Sequence, residues 1–141
     1  MRLTRVVVLS LATLAAGAAG CEKKAPAAKA EATAVKEISV DDLAGQLAKA
    51  AVKPVDANGD KTRRDVGFIP GAVLLTDYET FGAAELPTDK RQPLVFYCAN
   101  EQCSASHEAA KRAIALGHAD VKVLPAGIMG WAKAGQRTEK L

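Results

Sequence analysis

Short apolar runs alternate with amphipathic stretches from residue 37 onward, and the alternation sets the expected order of elements. Ile38 reads as a brief edge strand. Ser39, with Asp42 three positions later, forms a capping-box-like helix start, and Val40, Leu43, Leu47 and Ala50 or Ala51 follow at helical spacing. Pro54-Val55-Asp56 gives a second short strand, and the polar, basic stretch Ala57–Gly67 carries the turn signal Asn58-Gly59. A third strand is expected at Val73–Leu75, with Asp77 capping a short helix through Phe81. Leu94-Val95-Phe96-Tyr97, bounded by Pro93, has the unbroken apolar character of a strand covered on both faces. Ser104 opens the next helix, Ala105 to Leu116, on which Ala109, Ala113 and Leu116 recur at helical spacing. A strand at Val121–Leu124 and a helical segment near Ile128–Ala134 complete the series. Strands alternating with helices predict an α/β domain, a parallel sheet packed between helical layers.

The first twenty residues follow another pattern. Arg2 and Arg5 precede the apolar run Val6–Ala16 and then small residues, the plan of a secretory signal peptide. The run falls short of the about 20 apolar residues needed to span a bilayer. The segment closes Ala18-Ala19-Gly20-Cys21, which resembles the lipobox of bacterial lipoproteins. By that resemblance residues 1–20 are a lipoprotein-type signal peptide and Cys21 becomes the lipidated first residue. The alternative is an ordinary signal peptide cut after one of these alanines. The lipobox reading implies a protein of the bacterial cell envelope, lipid-anchored and periplasmic or outer-membrane-associated. Residues 21–36 hold no aromatic and no regular apolar face, so they cannot offset their ordering entropy and read as a flexible tether. The folded domain is expected over residues 37–141, a small single unit and a monomer.

Charge narrows the partners. The 19 basic and 16 acidic residues give +3, and removal of Arg2 and Arg5 with the leader brings the balance to +1. No Lys/Arg stripe interleaved with aromatics accompanies it, so nucleic acid is not an expected partner. Beyond the leader and Cys21, Cys98 and Cys103 are the remaining cysteines, and in an oxidising envelope such a pair is a candidate disulfide.

Cys98 is the candidate seat of chemistry, because it stands where a buried strand stops and a helix begins. A thiol there faces backbone N–H groups and the positive end of a helix dipole, which favour the thiolate. The loop Ala99, Asn100, Glu101, Gln102, Cys103 and Ser104 is the expected anion-binding cradle around it.

Four blocks in register carry a family resemblance over about Ile38 to Gly135. They are Pro54-Val55-Asp56-Ala57, Asp65-Val66-Gly67-Phe68-Ile69-Pro70-Gly71-Ala72, Val95-Phe96-Tyr97-Cys98 with Ser104 six positions on, and Val123-Leu124-Pro125-Ala126-Gly127-Ile128-Met129-Gly130-Trp131. Together they resemble the rhodanese-like domains, α/β modules of sulfur transfer. The resemblance implies a three-layer sandwich, a central parallel five-stranded sheet with helices on both faces. It implies a sulfurtransferase or persulfide carrier in which the Cys98 thiolate takes a sulfane sulfur from a small donor such as thiosulfate or polysulfide and passes it to a thiol or protein acceptor. Asp56, at the family's acidic position, and Trp131, in its closing segment, are the expected supporting residues. The chain departs from the family at Asn58, where Arg is usual, at Phe68, where His is usual, at Glu101, where many members have Gly, and at Cys103, where a basic or hydroxyl residue is common. An inward Glu101 would oppose a thiolate, whereas an outward rotamer would leave it free.

The same residues admit other readings. One is a rhodanese-like binding or thiol-redox module without transferase turnover, with Cys98 and Cys103 as a redox pair. A cysteine phosphatase is disfavoured, since Ser104 stands where such enzymes place the phosphate-binding Arg and neither Lys111 nor Arg112 lies in the loop. Cys98, Cys103 and His107 lack a fourth ligand, so neither a metal nor another cofactor is expected. His118, after Gly117, reads as a loop residue that favours the preceding helix C-terminus when charged. Lys61, Arg63 and Arg64 read as a solvated basic face, or as a cluster meeting an anionic substrate if their loop folds over the site.

Overall fold

The computed structural model describes residues 34–141; the expected signal peptide, Cys21 and nearly all of the expected tether lie outside them. Strands β1 (Lys36–Glu37), β2 (Lys53–Asp56), β3 (Val73–Leu74), β4 (Leu94–Tyr97) and β5 (Val121–Leu124) form one parallel sheet in the order β1-β5-β4-β2-β3. Between them run α1 (Val40–Ala48), α2 (Asp60–Asp65), α3 (Ala105–Ala115) and, after β5, α4 (Gly127–Lys133). Among the described residues, no helix is long and apolar enough to cross a membrane.

The central strand organises the layers. β4 pairs with β2 on one side and β5 on the other, and all four of its residues are fully buried. Side chains alternate across a strand, so Leu94 and Phe96 join Ala109, Ala110 and Ala113 of α3 in one core. Val95 and Tyr97 enter a second core with Leu43 of α1 and Ile128 and Trp131 of α4. The result is the three-layer α/β arrangement that the resemblance implies. α1 starts as its sequence foretells: the Ser39 hydroxyl accepts from the Asp42 amide at 3.1 Å and donates to the Asp42 carboxylate at 2.7 Å.

Two local expectations are corrected. Residues 77–81 form a turn, followed by a single 3-10 turn at Ala83–Glu85. Asp77 does accept the Glu79 and Thr80 amides at 2.8 and 2.9 Å. The Arg112 guanidinium of α3, however, takes the Phe81 carbonyl at 2.6 Å and the Thr80 carbonyl at 3.3 Å, so those acceptors serve no further helical turn. The second correction is α2, which occupies the stretch read as an irregular basic loop. Its acidic first turn and its Arg63-Arg64 last turn suit the helix dipole.

Arg63 is also the buried face of that helix, contrary to the solvated reading of the basic cluster. It is 5% exposed, donates to the Leu75 carbonyl at 2.9 Å, and places Nε 3.5 Å from Asp56 Oδ2. Asp56 itself accepts the Asn58 amide at 2.6 Å and faces the Tyr97 hydroxyl, which in turn accepts the Ile69 amide at 2.9 Å. Burial pushes the Asp56 carboxyl above its ordinary value, against the opposing pull of the Asn58 amide, Arg63 and Tyr97. Lys61, by contrast, is exposed and pairs with Asp65.

His118 is likewise buried, at 3% exposed, with Lys90 Nζ 3.0 Å from its Nε2. Burial first, and then the Lys90 charge, hold its pKa below the usual histidine value. The favourable interaction with the helix C-terminus that a charged His118 would make is thus opposed by its burial and by Lys90.

Removal of one partner from a buried ion pair leaves the other uncompensated. Arg63→Met is expected to lower unfolding free energy by about 3–5 kcal/mol in urea melts, and adding Asp56→Asn should restore most of the loss. A loss below about 1 kcal/mol would refute the brace.

Candidate functional site

β4 carries the chain out of the sheet at Tyr97, and alternation sends the next side chain, Cys98, into the α3 layer. Cys98 is 2% exposed and belongs to the same core as Phe96 and Ala109. Residues 99–104 then turn back to α3. Asn100 shapes this loop: its carbonyl accepts the Cys103 amide at 3.1 Å and its side chain the Gln102 amide at 3.0 Å. From below, the first turn of α4 braces it, with the Ile128 and Met129 amides donating to the Cys98 and Ala99 carbonyls at 2.8 and 3.0 Å. That approach requires Gly127, whose φ is +60° and whose added Cβ would lie 2.6 Å from the Ala99 and Cys98 backbones.

The two thiols meet. Cys98 and Cys103 are both reduced and within hydrogen-bonding reach of one another, and Cys98 Sγ also lies 3.1 Å from the Cys103 carbonyl oxygen and 3.3 Å from Ser106 Oγ. Burial pushes the Cys98 thiol above its ordinary value, and its hydrogen bond to Cys103 adds to the rise; the Ser106 hydroxyl and amide oppose it without cancelling it. Burial also acts on the half-buried Cys103, but the Cys98 thiol and the Ala99 and Ala105 amides outweigh it and bring Cys103 below the usual thiol value.

The direction at Cys98 runs opposite to the thiolate-favouring surroundings expected from the sequence. The Gln102 and Cys103 amides are spent on Asn100, so the loop does not direct every N–H at Cys98. Ser106 is not among the expected site residues, although its position gives a signal: it begins the buried stripe Ser106, Ala109, Ala110, Ala113 and is its one polar member.

Other expected site residues fall as follows. Glu101 is exposed, and Ala50 is the sole non-glycine residue with positive φ among those described, so Glu101 occupies the family's glycine position without backbone strain. Ser104 is exposed and makes no side-chain cap to α3. Asp56 and Trp131, expected to support the site, lie on the other side of the sheet: Trp131 sits in the core shared with Tyr97, its indole N–H donating to the Arg137 carbonyl at 2.8 Å. Both brace the fold at a remove from the sulfur atoms. Next to the loop, Asn100, Glu101, Gln102, Met129 and Lys133 line an open groove.

A buried strand-end cysteine, a short loop and a following helix on a parallel sheet define a thiol-loop α/β domain. The family profile "Rhodanese-like domain" matches residues 39–134, and the chain belongs to that family. Among solved structures it is similar to a rhodanese-like domain protein of Staphylococcus aureus, with 24% identity, TM-score 0.59, and coverage of 74% of this chain and 99% of that one. It is similar also to the 3-mercaptopyruvate sulfotransferase SseA of Escherichia coli, with 21% identity, TM-score 0.59, and coverage of 76% of this chain and 51% of that one. A human single-domain sulfurtransferase matches with 18% identity, TM-score 0.57, and coverage of 70% and 96%. At these identities the likeness is one of fold. No curated protein matches the sequence.

Two outcomes are expected. Gly127→Ala should destabilise the domain by more than about 2 kcal/mol in thermal or urea unfolding, since a left-handed residue gains a Cβ against backbone. Limiting iodoacetamide should label Cys103 before Cys98 in the reduced protein, and Cys103 labelling should persist to lower pH than that of an unperturbed thiol because its thiolate is the stabilised form. Preferential labelling of Cys98 would contradict the assigned order of acidity.

Proposed function

We propose that this domain accepts sulfane sulfur on the dithiol of its active loop and passes it to a thiol acceptor, as a sulfurtransferase or persulfide carrier does. The observation that carries the reading is the contact between reduced Cys98 and Cys103 at the end of β4. Membership of the rhodanese-like family and the fold shared with sulfurtransferases support it. The amides of Ala99 and Ala105 that face a sulfur here are the groups able to stabilise sulfur anions during transfer. Exposed Glu101 at the loop, with Ser104 in place of an arginine, disfavours strongly anionic donors such as the thiosulfate dianion.

A second reading, a thiol-redox module without sulfur transfer, draws on the same contact. The two are separated by incubating the reduced protein with polysulfide or thiosulfate, then following intact mass and free sulfide. Sulfur uptake is expected as a one-sulfur mass gain or as one sulfide released per chain. Neither signal from any donor would end the sulfur-transfer reading, and disulfide formation without sulfide, under mild disulfide oxidants alone, would install the redox module in its place.

A further inference from the structure

We propose that Ser106, on the buried face of α3, is a catalytic residue of the sulfur-accepting site: its hydroxyl holds the Cys98 sulfur and is the side-chain donor that stays on it once the thiol proton has left. The inference rests on the sulfur-accepting function above and names a residue through which that function runs.

Ser106 is 1% exposed and Cys98 2% exposed, and Ser106 Oγ lies 3.3 Å from Cys98 Sγ. The other buried residues of α3 are Ala109, Ala110 and Ala113, so an alanine at position 106 would extend the stripe and favour the helix. A hydroxyl placed there instead has to be hydrogen-bonded to offset its desolvation. Among the described residues, the Cys98 sulfur is the one hydrogen-bond partner of that side chain.

The Cys98 thiol has two acceptors within reach, the Cys103 carbonyl at 3.1 Å and Ser106 Oγ, and one proton to give. The carbonyl can only accept, whereas the hydroxyl rotates and can accept or donate. With the thiol proton on the nearer carbonyl, the Ser106 hydroxyl is left to donate to the sulfur. When that proton leaves, the carbonyl has nothing to offer an anion, and the hydroxyl remains as a charge-assisted donor. The rest of the surroundings does not replace it. Ala57, Leu75, Phe96 and Ala109 in the same core are apolar, Cys103 is the other titratable group at the sulfur, and Tyr78, packed against that core, gives its hydroxyl to Glu79. Burial and then Cys103 push the Cys98 thiol up, and Ser106 pulls it back.

In the transfer step the Cys98 thiolate attacks the sulfane sulfur of a persulfide or polysulfide. The donor S–S bond breaks, its electron pair leaves on the shortened donor thiolate, and a Cys98 persulfide forms. The proton that Cys98 lost to solvent is balanced by the one the departing thiolate takes up, and no external oxidant or reductant enters. Ser106 acts before bond formation, by keeping a fraction of the core sulfur ionised.

The test uses the full chain, wild type and Ser106→Ala, with cysteine and serine labelled at 13Cβ so that NMR titration reads each thiol separately. Sulfur uptake from polysulfide is followed by intact mass over the same pH range. In Ser106→Ala the Cys98 midpoint should rise by about one pH unit. Uptake near neutral pH should fall about threefold, because a tenfold loss of thiolate is partly offset by the greater nucleophilicity of a more basic sulfur, and the gap should close as pH rises. In the wild type the Ser106 Cβ signal should titrate with the Cys98 midpoint, a readout that needs no substitution and so survives a variant that fails to fold. An unshifted Cys98 midpoint in folded Ser106→Ala, an uptake loss equal at every pH, or a wild-type Ser106 signal indifferent to Cys98 ionisation overturns the role of Ser106. No uptake by either protein, with the midpoint shift present, overturns sulfur acceptance and leaves the hold of Ser106 on Cys98 standing.

Discussion

Complete burial of β4 on both faces is the constraint from which the site follows. A strand paired on both sides and covered above and below has no freedom to choose where its last residue points; parity decides it. Phe96 belongs to the α3-side core, so Cys98, two positions on, must enter the same layer, and it does so below the surface. The thiol is consequently desolvated before any question of catalysis arises, and it donates to the Cys103 carbonyl.

The loop above then has to supply what burial removes. Asn100 consumes two of the loop's amides in forming the turn, while those of Ala99 and Ala105 favour the Cys103 thiolate and that of Ser106 the Cys98 thiolate. Cys103 is thus the half-buried partner of a core thiol.

Elsewhere the fold uses buried polar groups as braces. Arg63 connects α2 to Asp56 at the end of β2 and to the Leu75 carbonyl beyond β3, and Tyr97 ties the same carboxylate to the backbone at Ile69. These contacts hold the ends of β2, β3 and β4 together on the side of the sheet away from the thiols. Arg112 does comparable work on the α3 side, its guanidinium 5.4 Å over the Phe81 ring while it takes two loop carbonyls.

Local sequence determined the strands Leu94–Tyr97 and Val121–Leu124, the capped start of α1 and the span of α3, because a continuous apolar run, a capping serine and a helical repeat are each complete within a few neighbouring residues. Family blocks carried the parallel architecture and the strand-end position of Cys98. Tertiary structure alone decided the rest. α2 hides from pattern reading because the face it buries is a guanidinium whose partner, Asp56, is supplied by another element, and His118 is held below its ordinary pKa by burial first and then by Lys90, 28 residues away. Likewise the acidity order of Cys98 and Cys103 depends on which sulfur lies in the core and which lies against the amides, a matter of three-dimensional desolvation that no spacing along the chain encodes.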